Sequence, residues 1–156
     1  MASFKLTKDH IIKSFAPLLE TTDPSLRASF FNNTLIPDVT WTITGGHELS
    51  GTTTSVESHK AHSFNRLGPK LQNPIRFVIN RIILDTEPEA DGTWWACVEC
   101  KGESTTKTGE PYNNEYAWLT RWNQDGKIVE IRSYFDSVMA EHVLHLELPG
   151  EKEKTP

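Results

Sequence analysis

What most limits the folds open to this chain is the order of its segments: short helical patterns come first and a run of long strand candidates comes last. Residues 75–86, 93–104, 112–123 and 127–135 each read as extended segments rich in β-branched and aromatic side chains. Strands of that length imply a strongly curved sheet. The turn Asn123-Gln124-Asp125-Gly126 carries the Asp-Gly pair of a tight hairpin, which makes the last two strands antiparallel neighbours. Helices followed by long strands predict an α+β fold, with a bent antiparallel sheet wrapped around N-terminal helices and enclosing a pocket. A doubly wound fold does not suit this order, and the sequence has no glycine-rich phosphate loop, metal-ligand helix or serine-centred elbow.

Thr7 is a good N-cap for a first helix with Ile11, Ile12, Phe15, Leu18 and Leu19 at three- and four-residue spacing, kinked at Pro17. Asp23-Pro24 combines a cap with a proline at the first helical position. It starts a second helix in which Leu26, Phe30 and Leu35 are expected to face inward and which Pro37 should end. Residues 39–44 alternate as a strand into Gly45-Gly46, and residues 47–51 return from that turn. A third helix over about 54–71 carries Val56, His59, Ser63 and Leu67 along one stripe, with Phe64 at its margin. A short helix over 136–145 should close a single domain of residues 1–148, leaving 149–156 as a disordered tail.

The 156 residues suffice for one core and one site. Sixteen Lys and Arg against 21 Asp and Glu give a net charge of -5 with no basic block, which argues against nucleic acid and against an acidic membrane surface. No stretch approaches the roughly 20 apolar residues of a membrane helix, and the N-terminus lacks a signal-peptide pattern, so a cytoplasmic protein is expected. Cys97 and Cys100 are the two cysteines. A spacing of three on a strand points them to opposite faces, so they are read as neither a metal site nor a redox pair.

Three segments carry a family likeness. They are Asp38-Val39-Thr40-Trp41 after the second helix, Glu48-Leu49-Ser50-Gly51 before the third, and a C-terminal run. That run comprises Gly109-Glu110-Pro111-Tyr112-Asn113-Asn114-Glu115-Tyr116, Asp125-Gly126-Lys127-Ile128 and Arg132-Ser133-Tyr134-Phe135-Asp136-Ser137. On these segments the chain resembles the SnoaL-like enzymes of the NTF2-like superfamily, whose relatives include ketosteroid isomerase, scytalone dehydratase and limonene epoxide hydrolase. The last segment looks like that of small fungal isomerases and cyclases of terpenoid, polyketide and alkaloid biosynthesis. The resemblance implies a cone-shaped α+β barrel, a homodimer formed through the sheet, a deep apolar pocket, and acid/base chemistry with no cofactor and no metal. It implies an isomerase or cyclase acting on an apolar, oxygenated natural-product intermediate. Epoxide hydrolase or dehydratase chemistry in the same cup, and non-catalytic binding of a ligand or partner, are the alternatives.

Within that frame Asp136, at the end of the final strand, is where the family commonly places a general acid or base, although Asp136-Ser137 is also good helix-capping chemistry. The chain has Glu99-Cys100-Lys101 where limonene epoxide hydrolase has an Arg-x-Asp, and Ser133 where some isomerase relatives carry Glu. Tyr112, Asn114, Tyr116 and Trp118 share one strand face by alternation. Two phenols and an amide on one wall could hold a carbonyl or enolate oxygen, or could simply fill the core. His47 is a candidate proton shuttle at the pocket rim. His59, on the apolar stripe, is a better pocket candidate than His62. Trp41, Trp118 and Phe64 are expected to pack the pocket and contact substrate, together with Asn114 and His59.

Overall fold

A computed structural model describes residues 2–151. Helix α1 (Lys8–Phe15) starts where Thr7 accepts a hydrogen bond from the His10 N–H. Pro17 then tightens the chain into a 3₁₀ turn, Ala16–Leu19. Helix α2 (Pro24–Ser29) is capped by Asp23, whose carboxylate accepts from the Ser25 and Leu26 N–H groups. After a π-helical turn, Phe30–Thr34, the chain enters β1 (Leu35–Ile43).

A tight loop leads to β2 (Gly51–Thr53), followed by α3 (Val56–His62) and α4 (Phe64–Leu67). The remaining strands are β3 (Arg76–Leu84), β4 (Trp94–Thr105), β5 (Pro111–Tyr112), β6 (Glu115–Trp122) and β7 (Ile128–Phe135). Helix α5 (Ser137–Leu144) comes last.

The sheet runs β2-β1-β7-β6-β4-β3, with β5 beside β4. The hairpin joining β6 and β7 closes with Asn123 N–H donating to Lys127 O at 2.8 Å and with Gly126 at φ 71°, a conformation that favours glycine. Register breaks between Ile79 and Arg81 in β3 and between Arg121 and Trp122 in β6 help bend the sheet into an unclosed cone. Its concave face is aromatic, with Trp41, Trp118, Trp122 and Tyr112 all under 2% exposed, and Phe30 of the π-helical turn is equally buried. Burying such side chains is the main stabilising term, and losing one Trp to Ala costs about 3–5 kcal/mol.

Several expectations are corrected. The sheet is mixed rather than wholly antiparallel, because β1 lies parallel to β7, with Trp41 opposite Ile131 and Ile43 opposite Ser133. Pro37 does not end α2. It sits inside β1, where the register breaks between Leu35 and Thr40, a place that tolerates a residue with no N–H to donate.

Leu26 is 49% exposed, since a six-residue helix laid over the rim buries none of its own side chains and turns Arg27 inward instead. Ile12 and Leu19 are likewise exposed, while Ile11, Phe15 and Leu18 pack inside. The third helix is broken at Ser63, where φ -124° and ψ -78° are not helical. Its stripe survives the break, with Val56, His59, Ser63 and Leu67 all buried. The strand expected over 112–123 is interrupted at Asn113-Asn114.

Of the segment read as a tail, residues 149–151 form a turn in which Glu151 binds Lys70 and the Leu148 N–H. Residues 152–156 lie outside the described residues. Cys97 is half-buried and Cys100 buried, and burial raises the thiol pKa of both, that of Cys100 to about 12, so neither is poised as a thiolate. Among the described residues, no helix is long and apolar enough to cross a membrane.

Candidate active site in the cone

The cone holds a funnel. Its mouth is a cavity of about 380 Å³ bounded by α2, α3, α4 and the approach to β3, with Arg27, Phe31, Lys60, Phe64, Leu71 and Ile75 in its wall. Phe64, Leu67 and Ile75 also wall a deeper space of about 20 Å³. That floor has room for one small polar group, whereas the mouth has the volume of an ordinary small-molecule site.

The floor is where the strand pattern converges. Alternation along β5 and β6 turns Tyr112, Tyr116 and Trp118 inward, and β1, α3 and β7 bring Trp41, His59 and Ser133 against them. The two phenol oxygens are 3.0 Å apart, and Asn114 Nδ2 donates to Tyr112 Oη at 3.3 Å. Burial pushes both phenol pKa values up, so both remain protonated donors at neutral pH.

Tyr116 packs against Gly102 of β4. A methyl at Gly102 would lie 2.8 Å from Tyr116 Cε2 and from Ile75 Cγ2, so only hydrogen fits beneath the ring. Trp41 Nε1 donates to Ser133 Oγ at 2.7 Å. Trp118 Nε1 is buried in the wall and has no hydrogen-bond partner among the described residues. The floor therefore presents neutral donors, and no carboxylate is among its lining side chains.

Solved structures share this architecture. An NTF2-like protein from Burkholderia thailandensis superposes with a TM-score of 0.57 at 20% identity, over 88% of this chain and 96% of that one. The chain has the NTF2-like fold. Another NTF2-like protein, from Burkholderia pseudomallei, gives a TM-score of 0.59 at 15% identity over 88% and 98% of the two chains. TerC, co-crystallized with polyporic acid, gives 0.60 at 21% identity over 88% and 97%. Among curated proteins, the dimerizing cyclase phiC of a fungal species is 29% identical over 102 residues, which is 65% of this chain and 43% of that protein. The chain thus spans less than half the length of that relative. No protein-family model matches it.

In this NTF2-like cone His59 lies flat on Trp41, with ring centroids 3.7 Å apart and planes 6° from parallel. Its Nδ1 is 3.5 Å from Thr53 Oγ1. Burial, aided by the nearby His62, depresses its pKa from 6.5 to about 3, so the ring is neutral at physiological pH. An unfolded chain binds this proton more readily than the folded one. The stability that the neutral ring confers is therefore complete above pH 6.5 and is lost as the pH falls from there towards 3. Urea unfolding should lose about 2 kcal/mol between pH 7 and pH 5 through this one group. His59→Phe should flatten that slope, and an unchanged slope would show that the ring is not buried neutral.

Asp136 and His47 are placed differently. The Asp136 side chain is exposed, and its Oδ1 accepts the Met139 N–H at 3.1 Å as the N-cap of α5. Its charge is felt by Tyr112, opposing ionisation of that phenol. His47 lies in the turn after β1. Its Nε2 contacts Thr44 O at 3.0 Å and its Nδ1 accepts the Leu49 N–H at 3.3 Å. A carbonyl can only accept, so the proton is on Nε2 and the loop backbone occupies both nitrogens. Neither residue is among the side chains that line the floor.

A capping role predicts that Asp136→Ala costs about 1 kcal/mol in thermal unfolding and that Asp136→Asn, also a good cap, costs little. Turnover should survive Asp136→Asn. Its abolition with the fold intact would return the carboxyl to the chemistry.

The structure thus gathers Trp41, His59, Phe64, Tyr112, Tyr116 and Trp118 around one floor, with Asn114 directly behind Tyr112. Arg27 and Lys60 were not singled out by the sequence reading, which followed the apolar residues of each helix. No local pattern marks either cation as facing the cavity: Arg27 stands in Pro-Ser-Leu-Arg-Ala-Ser and Lys60 in Glu-Ser-His-Lys-Ala-His, both mixed segments.

Proposed function

We propose that this chain is an isomerase or cyclase acting on an apolar, oxygenated small molecule, with the Tyr112-Tyr116 pair donating to the reacting oxygen. One observation carries the reading: two mutually bonded, protonated phenols at the closed end of an aromatic funnel. Asn114 Nδ2 donates to Tyr112 Oη, and of the two ways the phenols can share their bond, the one proposed has Tyr112 donating to Tyr116 Oη and the Tyr116 proton free for the cavity. Each donation polarises the next, so Tyr116 becomes a stronger donor than an isolated phenol.

An oxygen that gains negative charge as a ring closes or a double bond migrates is stabilised by such a fixed donor in a water-poor site. The unpaired Trp118 N–H in the same wall is a further donor. His59, neutral and weakly basic, serves as an acceptor that orients the substrate. The names of similar proteins support this reading, one being a dimerizing cyclase and another having been co-crystallized with an acid. A homodimer through the outer face of the sheet, where Ile83 and Tyr134 stand exposed, is part of the proposal and is checked by light scattering.

Deletion of the encoding gene in its host, followed by chromatography and mass spectrometry of the small-molecule extract, tests the reaction class. Accumulation of a compound equal in mass to the lost product is the expected result. A difference of one water would indicate a hydrolase or dehydratase, and an unchanged extract would indicate non-catalytic binding.

A further inference from the structure

The mouth of the funnel combines apolar walls with two cations and no carboxylate. Arg27 is anchored by Nη1 donating to Leu18 O at 3.2 Å and to Glu20 O at 3.1 Å, and its guanidinium lies 5.9 Å from the centroid of the Phe77 ring. A guanidinium has five N–H donors, and backbone carbonyls engage only one of its nitrogens here. Among the described residues no Asp or Glu forms an ion pair with it, so its remaining N–H donors have no carboxylate partner. Burial lowers its pKa to about 10, so it remains charged at neutral pH.

Lys60 Nζ lies 5.6 Å from the centroid of Phe31, across the same cavity wall, and its partner Glu57 is a loose contact at 3.7 Å on solvent-facing carboxylate. Phe77, beneath Arg27, touches Tyr116 with centroids 5.2 Å apart, so the charge stands one ring away from the phenols.

The geometry points to a substrate that is an organic anion, an apolar body bearing a carboxylate or a comparably acidic enol, held at Arg27 with help from Lys60 while its reacting oxygen reaches Tyr116. This rests on reading the cone as a small-molecule site. A bidentate anion completes the guanidinium's donors, and the rings beneath both cations favour a flat, unsaturated body. Binding energy at the mouth also positions the far end of the molecule against the phenols.

Two fluorescent probes of matched shape test this: anilinonaphthalene sulfonate, which is anionic, and phenylnaphthylamine, which is neutral. The expected result is that the purified protein binds the anion at least about tenfold more tightly, one charge-assisted pair being worth roughly that factor. Arg27→Met should abolish the preference and leave phenylnaphthylamine within about twofold, because a neutral probe has no charge for the guanidinium to meet and methionine keeps the apolar stem. Lys60→Glu, on the rim and free of backbone anchoring, should weaken the anion several-fold and keeps the test decisive should Arg27→Met fail to fold.

Naphthoate and a hydroxynaphthoquinone, as competitors, separate carboxylate from acidic enol. Equal affinity for the two probes, or an anion preference untouched by both variants, overturns the proposal. Its failure is distinguishable from failure of the isomerase or cyclase reading. A neutral isomer accumulating in the deletion strain removes the anion and keeps the reaction, whereas an unchanged extract removes the reaction and leaves probe discrimination to stand alone.

Discussion

Asn114→Leu is expected to destabilise the protein by about 3 kcal/mol, because one buried side chain replaces a stretch of sheet hydrogen bonding. Between β5 and β6 the strand is interrupted, and the Asn114 amide spans the gap. Its Nδ2 donates to Asp136 O at 2.9 Å, and its Oδ1 accepts the Asp136 N–H at 3.0 Å, as a neighbouring strand would. The same Nδ2 reaches Tyr112 Oη. Leucine matches the volume but leaves two backbone groups and a phenol without their partner. For a chain of this length the thermal midpoint should fall by about 10 °C. A fall of less than about 3 °C would mean that the start of α5 is held by other contacts.

Tyr116→Phe is expected to lower kcat by about 100-fold or more, the loss typical of removing one donor from a developing oxyanion. KM should move little, since the ring and its packing on Gly102 remain. Stability should fall by only about 1 kcal/mol, because Tyr112 Oη keeps the bond from Asn114. Tyr112→Phe should cost less turnover than Tyr116→Phe, as it weakens the relay without removing its terminal donor. The assay substrate is the compound that accumulates in the deletion strain. Retention of full kcat in Tyr116→Phe would remove the phenol pair from the chemistry, and a larger loss in Tyr112→Phe would reverse the direction of the relay.

Much of the site was legible because alternation is a local rule. A period of two along residues 112–118 is enough to put Tyr112, Asn114, Tyr116 and Trp118 on one face, and all four are buried in the fold. The spacing of Val56, His59, Ser63 and Leu67 similarly placed His59 inside, even though the helix carrying it is broken at Ser63. Asp136-Ser137 was legible as two things at once, a cap or an acid, since the same residue types serve both. Only the geometry of the Met139 N–H separates them.

Arg27 was not legible, because nothing local says that a cation on a short helix will turn away from water. Its position depends on the carbonyls of Leu18 and Glu20, supplied by a turn that precedes the helix. The pairing of β1 with β7 was out of reach for the same kind of reason. Trp41 and Ile131 are far apart in sequence, and no short-range pattern distinguishes a parallel from an antiparallel neighbour when both faces of the decision are equally apolar.

The sequence by itself determined the α+β order, the hairpin at Asn123-Gln124-Asp125-Gly126, the caps at Thr7 and Asp23, and the inward face of the aromatic strand. Each of these follows from contacts within a few residues. Tertiary structure alone decided that Trp41 donates to Ser133, that Asn114 staples β5 and β6 to the end of β7, and that Arg27 meets Phe77 at the funnel mouth. These contacts join segments brought together only when the sheet curls, and their geometry is fixed by the packing of the whole cone.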